Sequence, residues 1–354
     1  MTIDNDTTAI NLGTVTARGN LSVRGGNGIT DTGVITVSGT SLFHSDVTAK
    51  AITLDSVNAM AGAVSITHTG AADVAIDNGT TNLVLGTVGV GRNFEARSGG
   101  TITDDGVITV AGTSLFHSDV GGQVITLDST NAMTGAVSIT HTGAANVQID
   151  NGTTALNLGT VSVGQNFTAR SGGVISNSGV ITVAGDATFV TDVNDIDIDL
   201  DNAANAITGA LVFTTQTGGS NGADITLNNG STAISLATFT TEGNLTLTTS
   251  NTAAFDVKAH TVNGDLAIST GGDITQTGNL TVTGASSFTS SGTDNDITLG
   301  ETNVLTGAIS ATTAGTTGNV TIDNDTTAIN LGTVTARGNL SVRGGNGITD
   351  TGVI

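Results

Sequence analysis

The sequence predicts an all-β chain wound as a parallel β-helix (a β-solenoid), on three observations. No proline occurs among 354 residues. Short alternating runs end at glycine-rich turns, and the whole pattern recurs at fixed spacing.

The missing proline comes first. Proline cannot donate to a ladder and is kept out of strands paired on both sides, as in a chain whose segments pair above and below throughout. Thr, Val and Ile are abundant, which opposes disorder, since disordered chains are poor in β-branched residues and rich in Pro and Lys. Aromatic residues make up only 3% of the chain, with no Trp or Tyr. A narrow interior filled by Val, Ile, Leu, Ala and a few Phe follows, with no ring platform for sugars or bases.

Alternation is clear at Asn20-Leu21-Ser22-Val23 and Val34-Ile35-Thr36-Val37, the mark of a strand with one buried face. The runs stop at turns such as Gly25-Gly26-Asn27-Gly28 and Asn78-Gly79, residues that accept positive φ. Asn-Gly is also a hairpin signal, so a string of small antiparallel β-domains with ligand-binding tips is the alternative architecture. No segment has sustained helical periodicity.

The repeats decide the reading. Residues 2–35 recur without change as 321–354, a period of 319. Shorter units lie inside it: SGTSLFHSDV starts at Ser38, AGTSLFHSDV at Ala111, 73 residues on, and AGDATFVTDV at Ala184, 73 further. TGASSFTSSG starts at Thr283, after 99. The chain therefore divides into a partial unit 1–37, unit 38–110, unit 111–183, a longer unit 184–282, and unit 283–354. In the long unit, EGNLTLTTS from Glu242 and NGDLAISTG from Asn263 lie 21 residues apart, as one inserted coil would. A solenoid accepts a whole coil without disturbing its neighbours, with coils of roughly 18 to 25 residues and strands about 4.8 Å apart. Exposed terminal edges of such a stack favour end-to-end association with tandem copies. At its start Met1 replaces the valine that precedes the second copy, so the chain reads as a piece of a longer array whose signal and anchor lie elsewhere.

The formal charge is -21. Lys and Arg are too few to neutralise phosphates or to hold an anionic membrane, which excludes nucleic-acid partners. No run approaches a membrane span.

Segments Gly278–Phe288 (GNLTVTGASSF) and Gly264–Val282 (GDLAISTGGDITQTGNLTV) resemble repeats of large bacterial surface proteins, the filamentous-haemagglutinin-like adhesins and autotransporter-type passengers. The resemblance lies in repeat style and extends over nearly the whole chain. It implies a right-handed parallel β-helix displayed outside a Gram-negative cell as a stalk, or as an adhesin for a receptor on a host or neighbouring cell. The absence of Cys fits passage across an outer membrane.

The sharpest local feature is the run Asp192, Asp195, Asp197, Asp199 and Asp201, the last four alternating with Ile196, Ile198 and Leu200. On one strand these carboxylates share a face, about 7 Å apart. The plain reading is a solvated face; the functional one is a Ca²⁺ site, since hard cations take clustered carboxylates. Gly25 to Asp31 is similar to the Ca²⁺-binding nonapeptide of RTX toxins, with its aspartate one position late, and reads as a turn. The pair Asp104-Asp105 reads as plain surface. Two pairs of histidines, His44/His117 and His68/His141, are spaced 73 apart and His260 stands alone; none has zinc-ligand spacing. No nucleophile elbow or phosphate loop occurs, so neither an enzyme nor a bound organic cofactor is expected. Thr-x-Thr pairs such as Thr14/Thr16, Thr246/Thr248 and Thr281/Thr283 line the ice-binding face of some solenoids, but their irregular spacing here suits ordinary outward strand residues.

Overall fold

A computed structural model of the chain describes residues 1–354 apart from 69, 142, 217 and 219–221. Among the described residues there is no helix, and every named pairing is parallel. The chain is a parallel β-solenoid of about 17 turns. The antiparallel alternative is overturned: the Asn-Gly corners lead into the next side of a coil and do not fold a strand back on its neighbour. Two compact units are formed, Met1–Ala184 and Gly185–Ile354.

In the first unit each turn has three sides. Val64–His68, Val74–Asp77 and residues 83–85 of Leu83–Val90 are successive sides of one turn. The first side stacks on Ser41–Ser45, the second between Ile52–Leu54 and Phe94–Ser98, and the third beneath Ile102–Asp104. Ladder partners advance by as few as 19 residues (Ile10↔Ile29) and as many as 23 (Ser41↔Val64). Alternation holds at nearly every strand: Leu21 and Val23 point in, Ser22 and Arg24 out. Some strands bend through a corner. Within Leu83–Val90 the first residues pair with Ile102–Asp104 and the last with Ile108–Val110, and a register shift falls between. Gly86 sits at that shift, where an added Cβ would collide with Ser65 Oγ.

Sequence repeat and structural turn are out of step. Leu21, Phe94 and Phe167 are equivalent positions spaced by 73 residues, yet each lies on a different side. Leu21 stacks with Ser41, Phe94 with Val74 and Ser114, and Phe167 with Val147. One repeat thus makes three turns and one further strand, and successive repeats rotate by one side.

The second unit has the same plan. Ile198, Ile225, Leu245, Leu266, Ser286 and Ile309 form one inward column. Leu245 lies directly on Leu266, so the 21-residue duplication is one turn of the ladder. The interior of both units is aliphatic with a few Phe. Phe94 meets Phe116 edge-on at 5.9 Å; Phe189, Phe213 and Phe239 follow one another at 5.8 Å spacings, and His260 lies 4.8 Å beyond Phe239.

Candidate functional site

Side chains with chemistry fall into three groups: corner amides, histidine clusters and the acidic run. The corner amides are the most regular. Asn78 is fully buried; its Oδ1 accepts from Met60 N at 2.8 Å, and its Nδ2 donates to Met60 O at 3.0 Å and Asn82 O at 2.8 Å. Asn151 does the same with Met133 and Ala155, Asn229 with Ile207 and Ala233, and Asn324 with Leu305 and Ala328. The turn signal in the sequence concealed this role. Positive φ belongs to the next residue, Gly79 at 55° or Asp325 at 47°, which frees the asparagine side chain to turn inward.

A second amide set lies one corner away. Asn58 Oδ1 accepts from Ile35 N, and its Nδ2 donates to Asp31 Oδ2 at 2.7 Å. Asn131 serves Ile108 N and Asp104 in the same way. Asp31 of the RTX-like turn is thus a buried structural acceptor. Asp104, expected at the surface, is only 7% exposed. Burial pushes its carboxyl up, against the hydrogen bonds from Asn131 and the amides of Ser129 and Asp128. Asp105 alone of that pair is exposed. In unit 283–354 Asn303 meets Gln276 of the unit before it, so the corner needs an acceptor rather than a charge.

The histidines that repeat are cross-braces. His44 Nδ1 lies 2.6 Å from Thr67 Oγ1, and Nε2 lies 2.9 Å from Asp46 Oδ1. Arg24 holds Asp46 with Nε at 2.8 Å and Nη2 at 3.0 Å. His117 repeats this with Thr140, Asp119 and Arg97. Hydroxyl, imidazole and carboxylate stand in the order of a nucleophilic site. Here, though, the carboxylate is committed to a guanidinium, and the hydroxyl reaches the imidazole from the neighbouring coil. His68 contacts the carbonyls of Gly70 and Lys50, and His141 those of Gly143 and Gln123.

His260 differs. It is 4% exposed, and neither ring nitrogen makes a well-formed hydrogen bond among the described residues. Burial pushes the imidazole down to about 4. Its ring lies 4.8 Å from that of Phe239, beside a cavity of about 290 Å³ also lined by Thr238, Thr240, Thr261 and Asn279.

The acidic run does not occupy one strand. Asp192 lies near the end of Ala187–Asn194, Asp195 turns the corner at φ 59°, and only Asp199 lies within Ile198–Leu200. Asp195 and Asp197 each accept from a backbone amide of the next coil, Gly222 and Asp224, at 2.9 Å. Burial pushes the Asp199 carboxyl up, with neighbouring Asp201 and Asp197 adding to it. Among the described residues no group of three or more His, Asp or Glu side chains is gathered as a metal would require.

A family model described as "Repeats of unknown function (DUF5649)" matches residues 1–67, 71–140, 144–214, 242–312 and 317–354. The longest stretch it passes over, 215–241, includes Phe239. No curated protein and no solved structure matches the chain.

Proposed function

The chain belongs to the DUF5649 repeat family, and from that premise we propose that it is a non-enzymatic structural module, a stiff stalk or fibre segment outside a bacterial cell. The observation that carries this reading is the rotation of the repeat. Because equivalents such as Leu21, Phe94 and Phe167 fall on three different sides, repetition adds length without building a row of identical ligand groups on one side. Recurring polar residues are engaged in bonds between coils, as at Asn78, Asn58 and His44. The resemblance to secreted bacterial surface repeats and the lack of Cys support the extracellular placement.

The test is antibody labelling of intact cells that produce the protein, with electron microscopy of the purified chain. Surface labelling and uniform rods are expected. Labelling only after permeabilisation would remove the extracellular role, and flexible beads would remove the stalk. A second reading, an adhesin, is favoured by one feature: the cavity beside Phe239 and His260 borders the stretch that the repeat pattern skips.

A further inference from the structure

His260 stands where the stack asks for nothing polar. Its ladder partner Leu280 is apolar and fully buried. His260 instead brings two buried ring nitrogens, neither with a well-formed hydrogen bond among the described residues. Leaving such groups unpaired costs stability, a cost that a leucine avoids. The remaining histidines are bonded to neighbouring coils or to carbonyls, so the scaffold accounts for them and not for His260.

The cavity of about 290 Å³ beside His260 is walled by neutral polar groups and one ring. Thr240 and Thr261 are ladder partners and stand side by side, joined by Thr238 and Asn279. None of these four side chains bonds to another described residue. Among the described residues no carboxylate or ammonium lines the cavity. Lys258, close by, gives its ammonium to Leu236 O at 2.9 Å. Burial keeps the His260 imidazole neutral at neutral pH, so it offers one donor and one acceptor. Phe239 supplies a half-buried ring, in a chain without Trp or Tyr. It lies in the connection before the two-residue strand Thr240–Thr241. Its side chain can therefore turn away from the imidazole without breaking a ladder bond.

We propose that this cavity binds one ring of a neutral sugar, stacked on Phe239 and hydrogen-bonded by Thr240, Thr261, Asn279 and His260. The space suffices, since a cavity of ~150 Å³ already holds benzene. Sugar hydroxyls both donate and accept, as the groups of the wall do. A purely apolar ring would leave those groups unpaired. An anionic sugar or a phosphate would meet no cation there, in a chain of net charge -21. Phe239 also lies in the longest stretch outside the repeat matches, 215–241, so its ring is no recurring part of the scaffold. The inference rests on the adhesin reading and names the class of ligand for it.

The test follows the His260 imidazole by proton–carbon NMR of the full chain, its signal assigned by its loss in His260→Leu. Neutral methyl hexosides and methyl N-acetylhexosaminides are added singly at millimolar concentration, with methyl glucuronide and phenol as controls. At least one neutral glycoside is expected to move the His260 signal saturably while those of His44 and His117 stay in place. Thr261→Val keeps the branched shape and should keep the parent urea midpoint. It is expected to raise the dissociation constant about three- to tenfold, and Phe239→Ala about tenfold or more. No saturable shift with any neutral glycoside, an equal response to phenol or the glucuronide, or an unchanged constant in both variants would overturn the proposal. Adhesion of producing cells to other cells is scored apart. Adhesion without glycoside binding removes this site and leaves the adhesin reading; binding without adhesion does the reverse.

Discussion

Asn78 bonds both backbone groups of Met60, accepting from its N–H at 2.8 Å and donating to its carbonyl at 3.0 Å. A side chain thus supplies the rung that the backbone cannot make while it turns a corner, and it does so in a dry interior. Removing it strands several buried polar groups at once, each costing about 1–3 kcal/mol. Asn78→Ala is expected to destabilise the chain by about 3 kcal/mol, read from its urea midpoint. Asn78→Asp should do no better, because the carboxylate lacks the donor that Met60 O requires. A midpoint unchanged from the parent would show that the corner has another source of order.

The Arg24 guanidinium holds the Asp46 carboxyl below the usual carboxylate range, with a smaller contribution from His44. A group with a lowered folded value contributes stability above its unfolded value, near ~3.9, and that contribution is lost as pH falls through the folded value. Arg24→Gln should raise the Asp46 titration midpoint, as followed by carboxyl carbon chemical shifts. An unmoved midpoint would mean that the ion pair is absent in solution.

His260 carries the clearest pH signature. Its folded value of about 4 lies below the ordinary 6.5, so the unfolded chain binds the extra proton first. Stability is complete above about pH 6.5, declines as pH falls toward about 4, and levels off below. The full span is about 3 kcal/mol. His260→Leu, which matches the ladder partner Leu280, should flatten this slope without loss at neutral pH. A slope that persists in His260→Leu would place its origin elsewhere.

Gly284 sits where successive corners touch. A Cβ there would lie 2.6 Å from Gly264 O and collide with Asp265 Oδ1, which already accepts from Ala285 N. Gly284→Ala is expected to cost about 1–3 kcal/mol through overpacking. Gly300→Ala, with nothing within 4 Å, should stay within about 0.5 kcal/mol. Equal thermal shifts for the two variants would contradict the close approach.

Much of the fold was legible because its causes are local and repeated. Alternation at Leu21-Ser22-Val23 assigns an inner and an outer face to a strand wherever it is placed, and absent proline permits pairing on both edges. The 21-residue spacing of Leu245 and Leu266 in two similar segments is the length of one turn. Less could be read at the polar positions. Asn78 looks the same in sequence whether it turns a surface corner or fills a buried one. Asp104 and Asp105 are adjacent and alike, yet only the first meets Asn131. The acidic run reads as one strand because alternation continues through a corner, although Asp195 there leaves strand geometry at φ 59°.

The sequence by itself determined an all-β chain of stacked repeats, with its inward residues and its approximate coil length, because strand periodicity and recurrence are properties of short segments. Tertiary structure alone decided between parallel stacking and the antiparallel alternative, and showed that each repeat makes three turns and one strand more, so that the equivalents Leu21, Phe94 and Phe167 fall on three different sides. The physical reason is that stacking is a relation between coils: a side chain's surroundings depend on which coil lies above it, and no segment carries that information within its own length.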